Sequence, residues 1–152
     1  MAKKQSGQVT NSRARFDYDL KDRLKVGLVL TGAETKALRL GRAHLRGAYV
    51  TIKNNELWLI NASITPGNLV SADITVDETR MRKLLAKKRE IKQLIEAKNQ
   101  GLTIVPVKYF TGSRYIKLEI AAGRGKRKFD KRQTIRERDT QRTELKRIKT
   151  MR

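Results

Sequence analysis

Apolar positions change period several times along the chain, and each change predicts an element. Arg13 to Leu20 and Leu24 to Thr31 read as strands; in the second, Leu24, Val26 and Leu28 alternate with Lys25 and Gly27, and the glycine predicts a bulge or bend that curls the sheet. Ala33 to Leu40 reads as a short helix stopped by Gly41. Ala48 to Lys53 and Glu56 to Asn61 form a hairpin turning at Asn54-Asn55, residues that tolerate positive φ, and Pro66-Gly67 ends that pattern. From Thr79 to Gln100, Met81, Leu84, Leu85, Ile91, Leu94 and Ile95 recur near helical spacing. This predicts one long helix with Asp77 as N-cap and Gly101 past its end. A second hairpin closes the core, Leu102 to Phe110 and Tyr115 to Ala121, turning at Thr111-Gly112-Ser113-Arg114.

Some six strands, a short helix and a long helix, with no internal repeat, predict a mainly β fold. The expected form is an OB-like closed antiparallel β-barrel carrying both helices; an open α+β sheet is the alternative. Composition divides the chain at Gly123. Residues 123–152 hold 13 Lys and Arg against 4 Asp and Glu, a net +9, and only Phe129, Ile135, Leu145, Ile148 and Met151 as large apolar side chains. A segment with so little to bury does not offset its ordering entropy, so 123–152 is expected to be a basic tail, disordered when free. Residues 1–122 are the core domain, with 1–10 expected to be flexible.

Charge narrows the function. The 152 residues carry 36 Lys and Arg against 15 Asp and Glu, a formal +21, and self-repulsion on that scale calls for a polyanionic partner. No apolar run approaches the length of a membrane span, the first residues lack a signal's apolar stretch, and the absence of cysteine removes lipidated thiols, disulfides and Cys-based zinc sites. A cytoplasmic nucleic-acid binder without cofactor is the expectation.

Catalytic constellations are missing. His44 is the sole histidine, and it reads as a surface or half-buried structural residue. Asp17, Asp19 and Asp22 stand among Arg13, Arg15, Lys21 and Arg23, which points to ion pairs rather than acid–base work. Gly123-Arg124-Gly125-Lys126 lacks the strand–loop–helix setting of a phosphate loop. A nuclease would need a metal-binding carboxylate cluster or a histidine pair. Aromatics flanked by cations fit RNA better, because a ring stacks on a base while Lys or Arg holds the adjoining phosphate. Phe16, Tyr18, Tyr109 and Phe110 also fit a core, whereas Phe129 has no apolar surroundings to join. Farther along, Arg138, Arg142 and Lys146 fall at i, i+4 and i+8, a cationic stripe once the tail is helical.

Several motifs follow one another along the chain: Asn11-Ser12-Arg13-Ala14-Arg15, the run Gly27 to Arg39, Gly41-Arg42-Ala43, Arg82-Lys83-Leu84-Leu85 and Arg89-Glu90. Most specific are Gly125-Lys126-Arg127-Lys128-Phe129-Asp130-Lys131-Arg132 and Ile135-Arg136-Glu137-Arg138. By these the chain resembles the SmpB family, the SsrA-binding proteins of bacterial trans-translation. The resemblance implies a non-enzymatic, monomeric protein. It would clamp the tRNA-like domain of transfer-messenger RNA and reach stalled ribosomes with elongation factor Tu, independent of any membrane. RNA-clamping positions then fall on Asn11, Glu34 and Leu85, with Arg13, Lys36 and Lys87 beside them. The tail is implied to become helical against small-subunit rRNA in the decoding center and empty mRNA channel. Gly125, Lys126, Phe129, Asp130, Lys131 and Arg132 belong to its motif, and Arg138, Arg142 and Lys146 to its stripe. Phe129 stands where several members carry His or Tyr, and Lys87 where some carry Asn. A generic RNA chaperone or ribosome-associated protein explains the charge but not the ordered motifs.

An excess of positive charge on this scale predicts a steep salt response. If the core neutralises about 6–10 phosphates, affinity for structured RNA falls by about 10³–10⁵ between 50 and 200 mM salt, read by filter binding. A flat response rules this out.

Overall fold

The computed structural model describes residues 9–71 and 73–151. Helix α1 (Ser12–Asp17) leads into a long strand β1 (Tyr18–Leu28), and α2 (Gly32–Arg39) follows. Next come β2 (Ala43–His44), the hairpin β3 (Tyr49–Lys53) and β4 (Glu56–Ile60), β5 (Ser63–Ile64), a 3-10 turn at Gly67–Leu69, and β6 (Arg82–Leu85). Helix α3 (Lys88–Asn99), the hairpin β7 (Thr103–Phe110) and β8 (Lys117–Gly125), and helix α4 (Lys128–Thr150) complete it. Six strands form one antiparallel sheet in the order β3-β4-β6-β1-β8-β7, and β2 pairs with β5 apart from it.

The sheet curls around one core of Val26, Leu38, Val50, Leu57, Leu59, Ile64, Leu84, Ile104, Tyr109, Leu118 and Ile120, all buried. Its edge strands β3 and β7 come into contact, yet no ladder joins them among the described residues, so the barrel expected from the sequence is not closed. Part of the outer edge of β7 is instead paired to the N-terminal segment. Thr10 bridges Lys108, the Tyr109 N–H donates to the Val9 carbonyl at 3.0 Å, and the Asn11 N–H donates to the Val107 carbonyl at 2.7 Å. The Val107 carbonyl and the Tyr109 N–H are thereby taken and offer β3 nothing to bond. Val9 is buried and Thr10 is held by that bridge; residues 1–8 of the segment expected to be flexible lie outside the described residues.

Two expected elements are corrected. Arg13 to Asp17 is helix rather than strand, because Asn11 caps it: its side-chain oxygen accepts the Ala14 N–H at 3.1 Å. The long helix expected over 79–100 begins only at Lys88. Arg82 and Leu84 are buried while Leu85 is half exposed, a two-residue period that belongs to a strand, and β6 lies between β4 and β1. Asp77 caps a local turn instead, accepting the Thr79 N–H at 3.1 Å, and α3 starts where the Glu90 carboxylate accepts the Lys87 N–H at 2.8 Å.

The bulge expected at Gly27 lies five residues earlier, between Lys21 and Arg23, with Asp22 at φ +50°. Gly27 serves close approach. It is paired with both Leu85 and Lys117, and a Cβ there would come within 3.3 Å of the Leu85 Cβ. The Asn54-Asn55 turn has both residues at positive φ, as the sequence predicts. Finally, β8 runs to Gly125, with Gly123, Arg124 and Gly125 paired to Leu20, Asp19 and Tyr18; the last three residues of this strand come from the segment assigned by composition to the tail.

Candidate nucleic-acid interface

Glu34 is the best-held charge in the protein. It sits in the first turn of α2, where a capping box forms: the Thr31 hydroxyl accepts the Glu34 N–H at 3.2 Å and the Glu34 carboxylate accepts the Thr31 N–H at 3.0 Å. The same carboxylate takes Arg80 (Nη2 at 2.6 Å, Nε at 2.7 Å) and the fully buried Arg82 (Nη2 at 3.0 Å, Nε at 3.2 Å). Arg82 spends its remaining donors on the carbonyls of Ala62, Glu78 and Arg80 at 2.7, 2.9 and 3.1 Å. Burial pushes the Glu34 carboxyl up, but the Arg80 hydrogen bond, the Thr31 N–H and the Arg82 charge outweigh it and hold the group below the usual carboxylate range.

The residues that the resemblance marks for RNA therefore divide. Asn11 and Glu34 are buried and occupied: the Asn11 amide donates to the carbonyls of Leu45 at 3.2 Å and Pro106 at 3.0 Å while its oxygen caps α1. Their contribution is to shape the surface. Arg13, Lys36, Leu85 and Lys87 are exposed and accessible to a ligand. Arg39 and Arg80, which sequence analysis did not single out, are fixed by geometry, since Arg39 donates to three carbonyls of the Thr111–Arg114 turn. The Thr31-x-x-Glu34 spacing was a readable signal for the capping box; nothing local signals the two arginines that share its carboxylate.

The tail motif lies at the joint between sheet and helix. Gly125 ends β8, and the Lys126 N–H donates to the Asp17 carbonyl at 2.8 Å. The Asp130 carboxylate caps α4 by accepting the Arg127 N–H at 3.3 Å, and Lys131 reaches back to the Asp17 carboxylate at 3.1 Å. Arg138 lies 5.7 Å from the centre of the Phe16 ring. Partial burial alone would raise the Asp17 carboxyl, but hydrogen bonds from Lys131 and Arg13 win and lower it. Beyond these contacts α4 buries nothing. Phe129 is 73 % exposed, Arg132, Arg142 and Lys146 are exposed, and Ile135, Leu145, Ile148 and Met151 face outward. A helix of this length, about 34 Å, with no apolar face covered is stabilised mainly by what it meets.

Other chemistry is thin. Among the described residues no group of His, Asp and Glu could hold a metal ion, and no helix is long and apolar enough to cross a membrane. His44 is exposed on β2.

Comparison with known proteins matches this geometry to one family. A family model described as SmpB protein matches residues 8–150. An SsrA-binding protein of Pseudomonas putida (strain F1) is 46% identical over 133 residues, 87% of this chain and 83% of that protein. One from Bordetella parapertussis is 43% identical over 135 residues, covering 88% and 87%, and one from a Synechococcus species 44% identical over 137, covering 88% of each. A solved chain described as "tmRNA-SmpB: a journey to the center of the bacterial ribosome" superposes with a TM-score of 0.67 at 34% identity, covering 86% of this chain and 95% of that one.

Two outcomes follow from the geometry. Glu34→Ala leaves Arg82 buried without its carboxylate and costs about 3–5 kcal/mol in urea unfolding. Because the folded carboxyl is depressed, its contribution is intact above the ordinary carboxylate value and is lost as pH falls through the folded one, so Glu34→Gln flattens the acid limb of stability against pH. At the joint, Asp17→Ala changes core stability by less than about 1 kcal/mol, as expected for a partly exposed pair, yet speeds amide exchange and tryptic cleavage across 127–138. Unchanged cleavage means that Asp17 does not hold the helix.

Proposed function

The chain belongs to the SmpB protein family, and from that premise we propose that it binds the tRNA-like domain of transfer-messenger RNA and delivers it to stalled ribosomes for trans-translation. One observation carries the reading: the family match spans residues 8–150, taking in the curled sheet and the tail helix together. The sheet with α2 and α3 is the RNA-gripping body, and α4 is the part that engages the ribosome.

The division of labour follows from burial. A basic surface held rigid by Glu34, Asn11 and the hairpins can present Arg13, Lys36, Leu85 and Lys87 in fixed positions to an RNA backbone, where charge supplies affinity and shape supplies selection. The helix has the opposite design. With Arg132, Arg138, Arg142 and Lys146 exposed and nothing buried, it gains most when rRNA phosphates surround it; free, it frays toward coil, and in the empty mRNA channel it is helical. At its start Gly125, Lys126, Phe129, Asp130, Lys131 and Arg132 reach the decoding center. Phe129 stacks there on a base without donating a hydrogen bond. No step in this work needs the protein to make or break a covalent bond. It acts in the cytoplasm, as a monomer, in a complex with elongation factor Tu.

The test separates grip from delivery. The cut belongs after Arg127, since truncation at 123 would remove strand residues paired to β1. Removing 128–152 is expected to leave affinity for the tRNA-like domain within about threefold and to abolish peptide tagging in a reconstituted stalled translation system. Replacing Asp130, Lys131 and Arg132 together by Ala gives the same pair of results. Normal tagging by either protein rejects the role of the tail; lost RNA affinity places the segment in the grip.

A further inference from the structure

Around Asp22 the basic surface is interrupted. A crevice of about 450 Å³ opens there between α3 and the strands β1 and β8. Leu24, Leu94, Leu102 and Ala122 give it an apolar floor, and its rim carries the carboxylates of Asp22, Glu90 and Glu96 with the amides of Gln93 and Gln100. A second cavity of about 330 Å³ shares Asp22, Gln100, Leu102 and Ala122 with the first, so the two form one groove. Helix α3 sorts its charges about this groove. Glu90, Gln93, Ala97 and Gln100 recur at three- and four-residue spacing and line it, whereas Lys88, Arg89, Lys92 and Lys98 do not. On the facing wall, β1 bulges between Lys21 and Arg23 and holds Asp22 at φ +50°. Arg23, which also lines the crevice, lies 3.8 Å from Glu119. In a chain with 36 Lys and Arg, none of Asp22, Glu90 and Glu96 has an ion-pair partner among the described residues. The carboxylates are spread along the groove rather than gathered at a point, since no group among the described residues could hold a metal ion.

We propose that this groove docks an extended, lysine- and arginine-rich segment of a partner protein, its aliphatic stems on the Leu24–Leu102 floor and its charged ends at Asp22, Glu90 and Glu96. The occupant follows from the chemistry. A nucleic-acid backbone would meet carboxylates here, and a metal ion would need them closer together. An apolar peptide would cover the three carboxylates without pairing them. Lys and Arg satisfy both parts of the groove, because they lay their methylenes along apolar surface and keep the charge at its rim. Basic arms of this kind are common among proteins that bind nucleic acid. None of Arg13, Lys36, Leu85 and Lys87 lines the groove, so a protein segment seated there leaves those positions free. The docking site thus goes beyond the function proposed above and does not depend on it.

Full-length protein is titrated at low salt with a fluorescein-labelled peptide of five Lys-Ala repeats, and with the same peptide carrying Gln for Lys, by fluorescence anisotropy. Although the chain is itself at a formal +21, the Lys peptide is expected to bind about tenfold or more tighter than the Gln peptide. Asp22→Asn with Glu96→Gln weakens the Lys peptide about 2- to 30-fold, as for two surface ion pairs, and Asn suits the positive φ at 22. Adding Gln93→Lys, which sets a cation on the exposed rim, brings the Lys peptide to the level of the Gln peptide. Both variants keep affinity for the tRNA-like RNA domain within about twofold, which also reports that they are folded. A native protein without preference for the Lys peptide overturns the proposal, and so does a double or triple variant that binds it as the native protein does. RNA affinity lost at an unchanged melting temperature assigns the groove to RNA, and displacement of the peptide by equimolar spermidine assigns it to a small polyamine; either result overturns a protein occupant. Failure of the native protein to bind the RNA domain sinks the functional reading alone and leaves the peptide result standing.

Discussion

A buried arginine has to be answered by a buried carboxylate, and in this protein that pairing sets much of the rest. Arg82 is wholly inside, on the strand between β4 and β1, and its charge is tolerable only because Glu34 arrives from the first turn of α2. The pair fixes where α2 lies on the sheet, and the remaining Arg82 donors gather in the carbonyls of Ala62, Glu78 and Arg80. It also brings Arg80 to the edge of the site. Removing the charge of either partner would strand the other, so the constraint acts on helix, strand and loop together.

That rigid centre explains how so basic a chain holds a defined surface. Of 36 Lys and Arg, few are paired with a carboxylate among the described residues: Arg13 and Lys131 share Asp17, Arg80 and Arg82 share Glu34, Lys83 meets Glu56, and Arg23 lies 3.8 Å from Glu119. The remaining excess faces water, where it repels itself unless a polyanion covers it. The body and the tail helix meet that repulsion differently. The body has apolar burial to offset it; the helix has a first-turn cap, one ion pair to α1 and one guanidinium near an aromatic ring. Asp17 thus sits at the joint, anchoring by its carbonyl and carboxylate the start of a helix that buries none of its own residues.

The residues proposed to face RNA and the residues that support them are not the same set. Asn11 and Glu34 have every side-chain oxygen and the Asn11 amide committed inside the protein, and losing either would disturb the surface. Lys36, Leu85 and Lys87 stand outside and can be changed at little cost to the fold. A motif in sequence therefore marks a dependence on function without saying whether the residue touches RNA or holds another that does.

Several elements governed by local interactions were legible in the sequence alone. The Asn54-Asn55 hairpin follows from two residues that accept positive φ, α2 from its spacing and Gly41, and the last hairpin from strict alternation at Ile116, Leu118 and Ile120. The charge and the ordered motifs likewise named the partner class and the family. Tertiary structure decided what depends on distant partners. Residues 82–85 carry apolar spacing that fits a helix equally well; they are strand because Arg82 meets a carboxylate 48 positions away and β4 and β1 offer bonds on both sides. Residues 13–17 are helix because Asn11 is locked by carbonyls 34 and 95 positions distant, and the same N-terminal segment pairs with part of the outer edge of β7. Periodicity reports which face of an element is apolar, but a buried charge or a sheet edge is settled only when the chain has brought its partner into reach.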